Sequence, residues 1–273
     1  MNLKGGIKMN NFSHSFALCA YKDSPYLKDC LQSLAAQTLP SKILIATSTP
    51  SAYIEKTAHE FHVPLYVGTH QSRIGRDWNF AFSHADTDFV TIAHQDDLYE
   101  PEYVSSVASY AAQAKNPILL YTDYGELRGE NRVFDNRLLR IKRKMNGLIK
   151  PSFFRRSQFM RGRMLSLGCS ICCPSVCLNK KRFPTFYFSE TLRSNLDWDA
   201  WYRLSKEAGE FIYIPRALML HRIHEQSETT SILESGKRNA EDFEMFRRYW
   251  PRFIARKLTK LYSSSEKSNR LSD

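Results

Sequence analysis

Through residues 13–122, short apolar runs alternate with stretches whose apolar residues recur at helical spacing, and nothing else in the chain constrains its fold as strongly. Phe16 to Ala20 reads as a buried strand. It leads into Tyr21-Lys22-Asp23-Ser24-Pro25, where Ser24 suits a helix N-cap and Pro25 the first helical residue. The helix that follows sets Leu27, Cys30, Leu31 and Leu34 on one face. The pattern then repeats: strand 42–46, helix 52–61, strand 64–67, a loop ending at Gly75, helix 77–84, strand 88–93, helix 101–114 and strand 117–122. Such alternation predicts a mainly parallel sheet covered on both faces. In these sheets ligands bind beyond the carboxyl ends of strands. Strand 88–93 ends at His94-Gln95-Asp96-Asp97, so topology alone marks that turn as a site.

The second half is less regular. Residues 137–150 are strongly basic, and Arg155, Arg156, Arg161 and Arg163 continue the run. The stretch reads as a mobile or ligand-facing segment, closing on phosphates, meeting an anionic acceptor, or simply solvated. An apolar strand holding Cys169, Cys172, Cys173 and Cys177 comes next. Helix 192–208 carries Asp197-Trp198-Asp199. Strands 211–214 and 218–220 lead to His221-Arg222-Ile223-His224. Without repeats or a low-complexity linker, residues 13–236 read as one domain of two halves, 13–123 and 124–236. A flexible stretch 1–12 precedes it, with Met9 an alternative start. Residues 237–262 read as two basic amphipathic helices broken at Pro251, and 263–273 as a disordered tail. The aromatic face of Phe243, Phe246, Tyr249, Trp250, Phe253, Leu258 and Tyr262 is flanked by cations. It suits either an anionic bilayer or packing on its own domain.

The 273 residues carry a formal net charge of +11, which attracts polyanions without choosing among nucleotides, nucleic acid and anionic membranes. No zinc-finger, RNA-recognition or recognition-helix pattern accompanies the charge, so nucleic acid is not the expected partner. The crowded cysteines read as buried reduced thiols rather than a zinc site, whose ligand pairs usually sit on separate turns. No apolar run reaches the ~18 residues of a membrane span. The chain is expected in the cytoplasm, with the C-terminal helices as its route to the inner face of the plasma membrane.

A strand-end acidic pair suits one chemistry in particular. When a sugar leaves a nucleoside diphosphate, negative charge grows on the diphosphate, and a divalent cation neutralises it. Hard cations take oxygen ligands, and one or two carboxylates suffice.

At this point the residues resemble a family. Ser24 to Leu34 with Gln37-Thr38, Gly75 to Asn79, Asp88 to Pro101, Asp197 to Leu204, and Arg222, His224 and Ser227 are similar, in order and separation, to the motifs of family 2 glycosyltransferases. The resemblance covers residues 13–230. It implies an α/β, GT-A-like, doubly wound and mainly parallel sheet, with a less regular acceptor-side half and C-terminal helices. It also implies an inverting, metal-dependent transfer from a nucleotide sugar, by default a UDP-sugar, to a saccharide or lipid-linked hydroxyl. Bacterial surface polysaccharide or glycolipid assembly is the setting it suggests.

The resemblance carries roles to single residues. Asp96 matches the last acid of the Asp-x-Asp motif and would ligate Mn²⁺ or Mg²⁺, with His224 helping to hold metal or phosphate. His94 replaces the motif's first acid and would face the donor's ribose or base, while Gln95 shares that turn and Asp97 orients it. Ala20 and Tyr21 match the place of the base, and Asn79 a polar donor-site position. Thr47 and Ser48 stand where the family often carries nucleoside-gripping acids. Arg222 would pair with the diphosphate. Asp197 matches the general base, with Asp199 as rival; two residues apart on a helix, only one can face the site. Three other readings stay open: a polyanion or nucleic-acid binder, a nucleotidyltransferase, and an inactive nucleotide-binding relative. The second lacks a glycine-rich phosphate loop after the first strand.

Overall fold

The computed structural model describes residues 12–224 and 238–266. The first half alternates as its apolar pattern requires: β1 (His14–Cys19), α1 (Leu27–Ala35), β2 (Lys42–Thr47), α2 (Ala52–Glu60), β3 (Leu65–Val67), α3 (Ile74–His84), β4 (Phe89–His94), β5 (Leu98–Tyr99), α4 (Tyr103–Gln113) and β6 (Pro117–Arg128). The remainder comprises β7 (Asn131–Val133), α5 (Arg137–Gly147), α6 (Ser152–Arg156), α7 (Gln158–Leu165), β8 (Val176–Asn179), α8 (Leu196–Leu204), β9 (Glu210–Ile223), α9 (Arg238–Arg247) and α10 (Arg252–Glu266). Ser227, the stretch 1–11 and the tail from 267 lie outside the described residues.

One sheet of nine strands runs β3-β2-β1-β4-β8-β6-β9-β5, with β7 on the edge of β6. β1, β2, β3 and β4 pair in parallel. β8 is antiparallel to both β4 and β6, so β4, β6 and the parallel β9 again share one direction. The expected mainly parallel α/β architecture holds. Strands covered on both sides need apolar residues at every position, and period two sorts them. Phe16 and Leu18 enter the core under α1, α2 and α4, while Ala17 enters the core shared with α3, α7, α8 and α9.

The anticipated face of α1 is buried at Leu27, Cys30, Leu31 and Leu34. Its start is later than anticipated. Ser24 Oγ accepts from Tyr26 N and Ser24 O from Leu27 N, so Ser24-Pro25 forms a turn before the helix rather than its cap. Gly75, in the first turn of α3, lies so close to the following half that a Cβ there would sit 2.1 Å from Ser189 O.

The second half corrects several expectations. Strands 211–214 and 218–220 are one strand, β9. Ile214 pairs with Thr122 and Ala217 with Asp123, so Pro215 and Arg216 bulge out, which is where a sheet accepts proline. The cysteine-rich stretch becomes a strand only at Val176; Cys173–Ser175 is a 3₁₀ turn. All six cysteines are free thiols, and among the described residues none joins a cluster able to hold a metal.

The basic stretch is not a loose segment, as expected, but three helices whose charges partly serve the fold. Arg143 pairs with Asp123, and Arg155 and Arg156 with Glu210. Arg161 is fully buried and donates to the carbonyls of Ser205, Glu207 and Gly209. Pro251 separates α9 and α10 as anticipated, and their apolar face packs on the domain. Phe246 meets Trp198 edge-on at 5.0 Å, and Trp250 Nε1 donates to Ser166 O at 2.7 Å.

Candidate active site

Strand β4 delivers His94 to the carboxyl end of the sheet, and the tight turn to β5 presents Asp96 and Asp97 beside it. The ligand atoms of His94, Asp96 and Asp97 lie within 4.8 Å of one another. Asp97 is fully buried, and its Oδ1 accepts from His221 Nδ1 at 3.0 Å and from Arg222 N at 3.0 Å. Its Oδ2 and His94 Nε2 are buried with no hydrogen-bond partner. The orphaned Asp97 Oδ2 faces His94 Nδ1 at 3.8 Å, and a carboxylate–imidazole group of this kind can take a divalent cation of the Mn²⁺ or Mg²⁺ type. The residues present fit such an ion.

The end of β9 supplies the other wall. Alternation along the strand divides His221 from Arg222 and from His224, the residue just after it: the His221 side chain reaches Asp97, whereas those of Arg222 and His224 reach Asp96. Arg222 Nε donates to Asp96 O at 2.8 Å, and its guanidinium lies over the Tyr26 ring at 4.2 Å. Arg222 thus braces the acidic turn against the start of α1. His224 Nε2 donates to Asp96 Oδ2 at 2.9 Å, which leaves Oδ1 as the oxygen not engaged by that ring. Burial alone would raise the Asp96 carboxyl, but the His224 hydrogen bond and the neighbouring His94 and His221 outweigh it and hold it below the usual range. Burial disfavours a charged His221, yet the Asp97 carboxylate beside it pushes its pKa up to about 9. The site therefore sets a cationic ring behind its deepest acid.

The donor-side residues converge on the same end of the sheet. The Gln95 amide clamps Tyr21, accepting from its N–H at 3.0 Å and donating to its carbonyl at 2.9 Å. Tyr21 is 38% exposed, so its ring stands open at the mouth of the site. Ala20 continues β1 with a bond from its N–H to Ala46 O. The Thr47 hydroxyl is occupied, accepting from Thr49 N at 3.0 Å, whereas Ser48 Oγ is buried without a partner. The Asn79 amide is committed elsewhere. Its Oδ1 accepts from Phe188 N and its Nδ2 donates to Phe188 O, so it ties α3 to the loop between β8 and α8. Trp78, one residue earlier, stacks on the His94 ring at 5.2 Å.

Asp197 and Asp199 divide as helix geometry demands. Asp199 is buried between Arg203 Nε at 2.9 Å and Arg248 Nη1 at 2.6 Å, fully used in joining α8 to α9. The positive charges of Arg238 and Lys142 act on Asp197 and favour its ionised form. Its Oδ1 accepts from Trp198 N at 2.7 Å and its Oδ2 from the Cys169 thiol at 3.5 Å. Burial raises its carboxyl above the usual range, outweighing the Trp198 N–H. A buried carboxyl with a raised pKa is a candidate for proton transfer.

Four contributors were not anticipated. His221 lies in the stretch already singled out, and strand alternation would have assigned it the opposite side from Arg222. Trp78 lies inside the Gly75–Asn79 motif, which assigns it no role, and Cys169 carries no signal of a site role, because a buried cysteine is an ordinary core residue. Glu241 on α9 accepts from Arg193 N, Ser194 N, Ser194 Oγ and Asn195 N, anchoring the loop that opens α8.

A family model described as glycosyl transferase family 2 matches residues 15–183, more than half of the chain. No curated protein matches by sequence search. Among solved structures, S. aureus TarS 1–349 in complex with UDP-GlcNAc is similar at 15% identity and a TM-score of 0.63, over 91% of this chain and 70% of that one. The mannosyltransferase PcManGT from Pyrobaculum calidifontis, in complex with GDP-Man and Mn²⁺, is similar at 10% identity and a TM-score of 0.62, over 94% of this chain and 70% of that one. Against the longer S. aureus TarS structure the chain spans 42% of the length. At these identities the likeness is one of fold.

Proposed function

This chain belongs to glycosyl transferase family 2, and from that premise we propose that it transfers a sugar from a nucleoside diphosphate donor to an acceptor hydroxyl, with inversion, in cell-surface polysaccharide or glycolipid synthesis. The observation that carries the reading is the convergence of His94, Asp96 and Asp97 at the end of β4, with Asp97 Oδ2 buried and without a hydrogen-bond partner. The neighbours' complexes with UDP-GlcNAc and with GDP-Man and Mn²⁺ support the substrate class. A UDP-sugar is the default donor.

In this reading Asp96 and Asp97, with His94, hold Mn²⁺ or Mg²⁺. When bound, the cation supplies charge neutralisation at the departing diphosphate. Tyr21 offers a ring face to the base, and Ser48 a hydroxyl to the base or ribose. Arg222, His224 and His221 keep the two carboxylates aimed. Asp197 takes the acceptor's proton as that oxygen bonds to the anomeric carbon. The bond from that carbon to the diphosphate oxygen breaks on the opposite face, and the nucleoside diphosphate leaves with the electron pair. Asp199 is left out of this chemistry because two arginines hold it.

Calorimetric titration of UDP, GDP, CDP and dTDP, with and without Mn²⁺, tests the reading on the full chain and on Asp96→Ala. One nucleotide binding only with metal, and lost in the variant, is the expected result. No metal-dependent binding of any of them would overturn it.

A further inference from the structure

The charge of this chain is segregated. Residues 136–189 and 245–265 hold nineteen of the 39 lysines and arginines and none of the 28 acidic residues. The remaining twenty cations are outnumbered by those acids, so the whole surplus of +11 resides in two acid-free segments. The fold joins them. The Arg163 guanidinium of α7 lies over the Trp250 ring at 4.6 Å, and Trp250 bonds to Ser166 at the end of the same helix.

Some of these cations are spent inside the protein, as at Arg143, Arg161 and Arg248. Those that are exposed stand among exposed aromatic rings. On α7, Phe159 is 71% exposed and Arg163 follows one turn later on the same face. On α10, Ala255 and Thr259 are buried, which turns Phe253, Lys257 and Lys260 outward; Phe253 is 67% exposed. Between α9 and α10 opens a groove of about 520 Å³, with Arg252, Arg256 and Lys260 set around Phe243.

We propose that this face docks the protein on an anionic lipid bilayer, with Phe253 and Phe159 entering the headgroup boundary and Arg252, Arg256 and Lys260 taking lipid phosphates. The pattern separates a bilayer from a soluble polyanion. Cations serve both, but exposed phenyl rings gain burial only where an apolar phase lies beneath the charge. The docking surface is the outer side of the C-terminal helices and not their aromatic stripe, since Phe246, Trp250 and Leu258 are committed to the domain core. The inference does not rest on the donor-site reading, because no residue of the face belongs to that site.

Vesicle flotation of the full chain tests it, using phosphatidylcholine alone and phosphatidylcholine with about 30% phosphatidylglycerol, a content comparable with natural anionic leaflets. Binding to the anionic vesicles at physiological salt, and little to the neutral ones, is expected. Each juxtamembrane cation contributes about fivefold, so the triple variant R252E/R256E/K260E should bind about a hundredfold more weakly or worse. F159S/F253S should also weaken vesicle binding while leaving retention on heparin unchanged. Both variants keep parental circular dichroism and nucleotide affinity, which separates a lost surface from a lost fold. Absence of binding to anionic vesicles, parental binding by the triple variant, or parental vesicle binding by F159S/F253S would each overturn the proposal.

Discussion

Glu241 lies on α9, remote in sequence from every motif residue, yet it sets the position of the proposed base. Its carboxylate accepts from Arg193 N at 2.8 Å, Ser194 N at 2.8 Å, Ser194 Oγ at 2.7 Å and Asn195 N at 3.2 Å. Those donors hold the loop entering α8, and Asp197 follows two residues after the last of them. Burial alone would raise the Glu241 carboxyl, but these bonds outweigh it and hold it below its usual range. Bonds to a charged acceptor contribute about 1.5–3 kcal/mol each in isolation. Four sharing one carboxylate are not additive, and the freed donors regain water, so Glu241→Ala is expected to cost about 2–4 kcal/mol. For a chain of this size that lowers Tm by about 5–15 °C. Loss of the anchor also lets Asp197 drift, and a displacement near 1 Å costs on the order of a hundredfold in turnover. The proposed donor site at the ends of β1 and β4 includes no contact of Glu241. Differential scanning fluorimetry, nucleotide calorimetry and sugar-transfer rates should therefore show a lower Tm, parental nucleotide affinity and much slower transfer. A Tm loss under about 2 °C, or nucleotide affinity falling in step with turnover, would refute the chain of reasoning.

Asp197→Asn should cut transfer by about 10²–10⁴-fold, the usual contribution of a general base, while raising Tm. Its ionised carboxylate is disfavoured by burial in the folded state, so the amide relieves a cost. Asp199→Asn should do the reverse to the fold, losing about 1–3 kcal/mol as Arg203 and Arg248 give up a charged acceptor. The pH profile follows from the raised Asp197 carboxyl. Only the ionised form takes a proton, so transfer falls as pH drops through the raised pKa. The acid limb should lie above the ordinary value of about 3.9, and a limb at or below that value would exclude Asp197 as the base. Arg161→Met should cost about 3–5 kcal/mol by chemical denaturation, because four carbonyls, that of Ser205 fully buried, lose their donor and a void replaces the guanidinium.

The first half was legible because β1, β4 and the start of β6 are buried on both faces and each helix on one, so apolar periodicity and burial are the same signal. The second half is stabilised differently. Strand β6 continues past Thr122 through Asp123, Gly125 and Glu126, residues that do not look like core. Asp123 and Glu126 are buried all the same, because Arg143 answers the first and Arg128 with Asn136 the second. Pro215 made β9 read as two strands, since nothing local announces that β6 carries matching irregularities. The acidic turn and the Asp197 helix were visible as motifs. That Asp199 is taken up by two arginines was not, because Arg248 comes from the turn after α9, whose contacts no local pattern reveals.

The two long parallel strands explain why the site forms at all. β6 and β9 run together from Pro117–Glu210 at one end to Arg128–Ile223 at the other. β5 pairs with β9 through Leu98–Leu220 and Tyr99–Met219. That pairing places the turn before β5, with Asp96 and Asp97, beside His221, Arg222 and His224 at the end of β9. A slip of one residue in the β5–β9 register would exchange the side of the sheet on which His221 and Arg222 fall. Asp97 would then lose its imidazole while Asp96 lost its brace. The one-residue shift between the Asp123–Ala217 and Gly125–Leu220 pairs sets that parity, whereas the Pro215–Arg216 bulge adds two residues and leaves the alternation unchanged. An irregularity that looks like a defect in the strand is thus a condition of the geometry around Asp96 and Asp97.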